Sequence, residues 1–169
     1  MSALPQPDSA PAATAEAVKD LMLAHDAFSR WLGLAVAEVG PGYARLHMPV
    51  RPEMLNGFGA LHGGVTFAVA DTAFGLACNS HGRQSVGLSA TVDYLEAGRP
   101  GDVLTVEARE ESLKHKIGVY QVRVSNQHGT VLALFKGTAY RTSAVIPNEG
   151  RNLNESIQPG QPDSSLRSE

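Results

Sequence analysis

One cysteine in 169 residues leaves nothing with which to close an internal disulfide, so Cys78 points to a reducing compartment. Charge is sparse as well. Charged side chains make up 18% of the chain and the formal net charge is −3, so no bulk positive field exists to hold nucleic acid or an anionic membrane. The opening MSALPQPDSAPAATAEA has neither a basic n-region nor an apolar h-region, and a cytoplasmic protein is expected. Also missing are a P-loop, a G-x-G-x-x-G fingerprint, an H-E-x-x-H pair and any cysteine cluster. GLSAT around Ser89 lacks the final glycine of a serine-hydrolase elbow. No metal site and no resident cofactor are expected.

What is present is 43% hydrophobic sequence, enough for one domain with a real core and too little for two. Residues 1–13, rich in Pro, Ala and Ser, and residues 147–169 read as flexible tails around a single domain at 14–146. Leu21, Ala24, Phe28 and Leu32 recur at helical spacing after Thr14, a candidate N-cap, and Gly33 ends the run. Strands follow at YARLHMPV (43–50), with a weaker one at 34–39. Later come VGLSATVDYL (86–95), DVLTVEARE, IGVYQVRVS and TVLALFKGTAYR, with Asn126 to Gly129 as a hairpin turn. In the 86–95 segment, Val86, Leu88, Ala90, Val92 and Tyr94 alternate with Gly87, Ser89, Thr91 and Asp93.

Between the early and late strands lies LHGGVTFAVADTAFGLACN, apolar on nearly every face. Residues 63–80 carry one ionisable side chain, Asp71, and approach the roughly 20 residues of a membrane span. Gly63, Gly64, Thr66, Thr72, Gly75, Asn79 and Ser80 dilute the run, however, and no basic flank adjoins it, so a buried core helix is expected. A helix apolar all round followed by successive strands implies an α+β fold, with an antiparallel sheet wrapped about that helix. Cys78 reads as a core residue of it.

Asp71 in mid-helix has no local cation among Val69, Ala70, Ala73 and Phe74. Burying it unpaired costs several kcal/mol. Two readings stay open: a partner lysine or arginine on a later strand, or a carboxylate poised as base or nucleophile. Gly63 and Gly64 likewise serve either tight packing or an oxyanion hole, because amides in a first helical turn have no intrahelical acceptor. Eight residues separate Gly63 from Asp71, about 12 Å along a helix axis. A donor and a base acting on one carbonyl each need to lie about 3 Å from the reacting atoms. If the pair is catalytic, Gly63 of one copy must face Asp71 of another, and the enzyme is an obligate dimer. A carboxylate and an oxyanion donor suffice for a thioester, whose thiol, with a pKa near ~8.5, leaves without an acid.

Asn56-Gly57, His62-Gly63-Gly64, Ala70 to Phe74 and Ala77 to Ser80 resemble the hot-dog acyl-CoA thioesterases, in particular the phenylacetate-pathway, hydroxyphenylacetyl-CoA branch. The similarity spans about residues 25–142. It implies a hot-dog fold, a long central helix wrapped by a curved antiparallel sheet, assembled as dimers and usually tetramers with sites between subunits. Asp71 would be the catalytic carboxylate and the Gly63 amide the oxyanion donor. Asn56 and His62 would hold the thioester or water, and Ser89, with Gly64 and Thr72, would position substrate and water. Read without the resemblance, Asn56-Gly57 is equally a turn, His62 a helix cap and Ser89 a surface serine. The FGAL loop before His62 departs from the family pattern, at a place that bears on acyl selectivity. Coenzyme A needs phosphate contacts, for which Arg99, Lys114, Lys116, Lys136 and Arg141 are candidates.

The expected activity is hydrolysis of aryl-acyl-CoA thioesters. The alternatives are a hot-dog acyl-CoA hydratase or dehydratase, which would pair a carboxylate with a histidine, and a non-catalytic acyl-CoA binding module.

Overall fold

A computed structural model describes residues 11–146. The two tails expected at 1–13 and 147–169 lie outside it, apart from residues 11–13, which are helical. Two helices, α1 (Pro11–Ala24) and α2 (Ala27–Leu32), precede strands β1 (Ala35–Gly40) and β2 (Tyr43–Pro49). A 3-10 turn at Pro52–Met54 leads to α3 (Gly63–Asn79). Four strands complete the chain: β3 (Arg83–Tyr94), β4 (Val103–Lys114), β5 (Ile117–Ser125) and β6 (Val131–Val145).

The single expected N-terminal helix is two. Asp26 interrupts it because its carboxylate accepts the Ser29 N–H at 2.9 Å and restarts the helix as an N-cap. Thr14 lies inside α1, which begins at Pro11, and is not its N-cap. Gly33 does end α2, at φ 72, its N–H donating to the Arg30 carbonyl. The Arg51 guanidinium binds the carbonyls of Leu32 (2.8 Å) and Trp31 (2.7 Å), tying the end of α2 to the chain leaving β2.

All strand pairs are antiparallel, in the order β1-β2-β4-β5-β6-β3. Apolar residues alternate along the central strands, as Ala44, Leu46 and Met48 do in β2 and Leu104, Val106 and Ala108 in β4, so one face of the sheet is apolar and must be covered. Helix α3 covers it. Val69, Ala70, Ala73, Phe74, Leu76 and Ala77 are buried against Leu46, Met48, Val106, Val122, Val124 and Phe135. Phe74 meets Tyr120 edge-on at 5.5 Å, and Phe67 meets Phe135 at 5.4 Å. Glycine is required at 137, where a Cβ would come within 2.7 Å of the Phe74 ring.

Bulges bend the sheet around the helix, between Val36 and Glu38, Gly87 and Ser89, and Glu110 and Ser112. The bulge in β3 corrects the simple alternation expected there. Ala90, Val92 and Tyr94 pair with Gly137, Phe135 and Ala133 on the core face, but Gly87, paired with Ala139, joins them. Val86 and Leu88 fall on the other face; β3 is an edge strand, and Ala90 and Tyr94 are exposed as well. One extra residue in the strand reverses the phase.

The C-terminal end of α3 is fixed by its own polar residues. Ser80 Oγ donates to the Ala77 carbonyl and accepts the Gly42 N–H, both at 2.7 Å. The Asn79 side chain accepts the Ser85 N–H at 2.8 Å and donates to the Gly75 and Ser85 carbonyls, which aims the chain into β3. Among the described residues no helix is long and apolar enough to cross a membrane.

Candidate active site

Residues 56–60 form a five-residue loop closed by the Leu55–Leu61 bridge. Asn56 Oδ1 accepts the Phe58 N–H at 2.9 Å and the Ala60 N–H at 3.2 Å. The Asn56 N–H donates to the Ala60 carbonyl, and the Gly59 N–H, at φ 74, donates to the Asn56 carbonyl. The β5–β6 hairpin repeats this arrangement. There Asn126 Oδ1 accepts from His128 and Thr130, and Gly129 takes φ 79. Asn56 is therefore a turn-forming asparagine, as its sequence allowed. Its Nδ2 has no protein partner among the described residues, and the side chain borders a cavity. The loop presents Phe58 almost fully to solvent, at 98% exposure.

The chain then enters α3 through His62, whose Nδ1 accepts the Gly64 N–H at 2.9 Å. His62 is the helix cap. The imidazole packs where a Gly64 side chain would stand: a Cβ there would lie 3.0 Å from Nδ1. At Gly63 the neighbour is different. A Cβ would meet the Tyr94 ring at 3.2 Å, and the Tyr94 hydroxyl donates to the Gly63 carbonyl at 3.0 Å. Both glycines thus let a side chain come close to the backbone. The two amides are not equivalent, however. The Gly64 N–H is occupied by His62, whereas the Gly63 N–H has no acceptor among the described residues, at the positive end of the helix.

That end of α3 borders a cavity of about 340 Å³ lined by Asn56, Gly63, Thr66, Tyr94, Leu95 and Leu132, among others. Tyr94, Thr66 and the Leu95 to Gly98 segment were not singled out from the sequence. Tyr94 reads there as one more apolar position of an alternating strand, and its contact with Gly63 joins residues 31 apart.

Asp71 lies elsewhere. It is exposed in the single chain rather than buried, on a stripe of α3 with Gly64 that the protein's own sheet leaves uncovered. It has no hydrogen-bond or ion-pair partner among the described residues, so no lysine or arginine from a later strand neutralises it. Partial desolvation already holds its carboxyl above the ordinary 3.8. Eight residues of helix place it about 12 Å along the axis from Gly63 and roughly 80° around it. It does not border the cavity. One chain does not bring the carboxylate and the free amide together.

Of the remaining candidates, Thr72 is engaged within the helix, its hydroxyl donating to the Ala68 carbonyl at 3.0 Å. Ser89 pairs with Thr138, on the face that carries Leu134 and Lys136, opposite Ala90 and Val92. The basic candidates fall into separate groups. Arg99 follows Gly98 at the cavity rim, where its N–H donates to Asp102. Lys114 and Lys116 flank the β4–β5 turn near Arg141, whose N–H donates to the Lys116 carbonyl. Nine residues of strand, about 30 Å, separate Arg141 from cavity-lining Leu132. Lys136 is exposed between them. Burial pushes the Cys78 thiol up to about 12, which suits a core cysteine and not a nucleophile. Among the described residues no cluster of His, Cys, Asp and Glu converges as a metal site.

A long helix capped by a histidine, lying in a six-stranded antiparallel sheet, is the architecture of the hot-dog fold. The Thioesterase superfamily pattern matches residues 58–133. The acyl-coenzyme A thioesterase PaaI of Escherichia coli K12 is 38% identical over 128 residues, 76% of this chain and 91% of that protein. Its structure, from the phenylacetic acid degradation operon, superposes with a TM-score of 0.79 and 36% identity over 82% of this chain and 100% of that one. A putative esterase of Archaeoglobus fulgidus is 38% identical over 132 residues, 78% of this chain and 86% of that protein. A hypothetical thioesterase from Streptococcus pneumoniae TIGR4, solved with coenzyme A, aligns at a TM-score of 0.65 and 26% identity, covering 68% and 91%. This chain belongs to the thioesterase superfamily and has its hot-dog fold.

Proposed function

We propose that this thioesterase hydrolyses aryl-acyl-CoA thioesters, phenylacetyl-CoA or a ring-hydroxylated relative, to the free acid and coenzyme A, at sites shared between two copies of the chain. Its likeness to a thioesterase of the phenylacetic acid degradation operon supports the acyl class. The mechanism rests on one observation: the only unoccupied amide of the α3 entrance, among the described residues, is that of Gly63, and the unpaired carboxylate of Asp71 is about 12 Å from it. Two antiparallel helices bring the Gly63 of one copy to the Asp71 of the other. Pairing two such dimers into a tetramer follows the family habit.

In this reading the thioester carbonyl oxygen lies against the Gly63 N–H, and Asn56 Nδ2 and His62 hold the thioester or the water from the same side. Asp71 of the second copy takes a proton from water as its oxygen bonds to the acyl carbon. The negative charge that develops on the carbonyl oxygen is stabilised by an amide already in place. Collapse breaks the C–S bond, and coenzyme A leaves as a thiolate that takes up the proton. Attack by the carboxylate itself, giving an anhydride that water then opens, uses the same geometry. Label from heavy-oxygen water in a single turnover appears in Asp71 only by the second route. Coenzyme A enters as part of the substrate, and no resident cofactor is called for. Arg99, at the cavity rim, suits a phosphate better than the distant Lys114, Lys116 and Arg141.

A hydratase or dehydratase would pair the carboxylate with a histidine; within one chain His62 and Asp71 are nine residues apart along α3, and an enoyl product in place of free thiol would favour that reading. Release of free thiol from phenylacetyl-CoA, with a panel of aliphatic acyl-CoAs alongside, tests the reading. Turnover of the aryl substrate by the wild type, lost by ~10²-fold or more in Asp71→Asn, is expected. Acyl-CoA bound tightly but not cleaved, equally by both proteins, would reduce it to a binding module.

A further inference from the structure

We infer that Tyr94 is a positioning residue of this thioesterase, holding the first turn of α3 so that the Gly63 N–H faces the thioester. The inference rests on the reading of Gly63 as the oxyanion donor. Tyr94 ends β3 on the core face and borders the same cavity as Asn56, Gly63 and Thr66. It touches Gly63 twice. Its hydroxyl donates to the Gly63 carbonyl at 3.0 Å, and its ring occupies the space a Gly63 side chain would take, 3.2 Å from an ideal Cβ. One contact fixes the carbonyl and the other bounds the α-carbon, so the residue between them is restrained from two directions.

The restraint matters because of what surrounds it. A glycine at the start of a helix has more backbone freedom than any other residue. The next amide is committed to His62, so no neighbouring N–H takes over if Gly63 turns away. An oxyanion donor contributes most when it is in place before charge develops. Tyr94 supplies that order from a strand, through a contact between residues 31 apart.

Tyr94→Phe removes the hydroxyl and keeps the ring. Loss of one hydrogen bond of ordinary net strength lowers kcat roughly three- to tenfold, with KM changed by less than about twofold. The second arm separates positioning from general stiffening. Gly63→Pro deletes the donor amide, and in that background Tyr94→Phe changes kcat by less than about twofold, since nothing remains to be aimed. Melting temperatures are recorded for every variant. Two results overturn the inference: an unaltered kcat in Tyr94→Phe, or the same fold-loss in both backgrounds. If instead the wild type releases no thiol, or Gly63→Pro is as active as the wild type, the reading of the site falls before Tyr94 is at issue.

Discussion

The His62 imidazole accepts the Gly64 N–H at 2.9 Å and leaves the Gly63 N–H as the one unengaged amide at the mouth of α3 among the described residues. A histidine cap thus selects which of two adjacent glycines is free to polarise a carbonyl. His62→Ala forfeits the cap, at a cost of about 1 kcal/mol, while His62→Asn keeps an acceptor in reach and recovers most of it. Denaturant midpoints of the three proteins check this. Equal stability of the alanine variant contradicts it.

Gly63→Pro isolates the amide. Position 63 is the first of the helix, where proline fits, and His62 already holds the extended conformation that precedes a proline (φ −65, ψ 130). The melting temperature is expected within about 4 °C of wild type, because the close neighbour of a Cβ at 63 is the Tyr94 ring, at 3.2 Å, which must give by a few tenths of an ångström. Turnover is expected to fall by ~10²–10³, the effect of removing an oxyanion donor.

Asn56 Oδ1 closes its loop, and Nδ2 is the end proposed to meet the thioester or water. Asn56→Asp preserves the Oδ1 acceptor that closes the loop onto Phe58 and Ala60, and exchanges only Nδ2. Thermal stability should survive while kcat/KM falls by about tenfold or more, the worth of a hydrogen bond to a charged or developing-charge group. Asn56→Ala should lose both, and comparing the two variants by melting and by thiol release separates turn from site.

Asp71 links activity to pH. Desolvation raises its folded pKa above 3.8, so the folded chain holds this proton more tightly than the unfolded one. The stability it contributes is present below 3.8 and is lost as pH rises through the folded value. Asp71→Asn removes that loss, so its stability relative to wild type should increase between about pH 4 and pH 7 in urea titrations. If Asp71 is the catalytic carboxylate, as proposed, the acid limb of kcat/KM should turn over above 3.8, because only the ionised form can act as base or nucleophile.

Gly137→Ala tests the packing that carries the helix. Its Cβ would come within 2.7 Å of the Phe74 ring, and a loss of about 1–3 kcal/mol is expected from overpacking. Adding Phe74→Leu should return part of it.

Much of this was open to reading from the chain because it is local. Asp71 stands out as the lone charge in an apolar helix, Gly33 and the Asn126 turn punctuate the chain, and each strand carries its period of two. Asp26, the cap that splits the first helix, is a favoured N-cap residue type, but the unbroken helical spacing of Leu21, Ala24, Phe28 and Leu32 runs straight past it. What escaped is non-local. The bulge at Leu88 arises from fitting β3 onto β6 around a helix, and it moves Gly87 to the core face and leaves Ser89 on the other. Tyr94 becomes a partner of Gly63 only when the end of β3 meets the start of α3. Asp71 was expected buried because its helix is apolar all round. Its own sheet leaves that stripe open, and in the proposed shared site a second copy would supply the remaining cover.

Subunit complementation decides whether the carboxylate and the amide act across two chains. Asp71→Asn and Gly63→Pro proteins, each inactive alone, are unfolded together, refolded as a mixture and assayed for thiol release from phenylacetyl-CoA. Half of randomly paired dimers would carry one intact site, so about a quarter of wild-type activity is expected to return. No recovery from a mixture shown to contain hybrid dimers would mean that each chain works with its own Gly63 and Asp71, and the shared site would have to be abandoned.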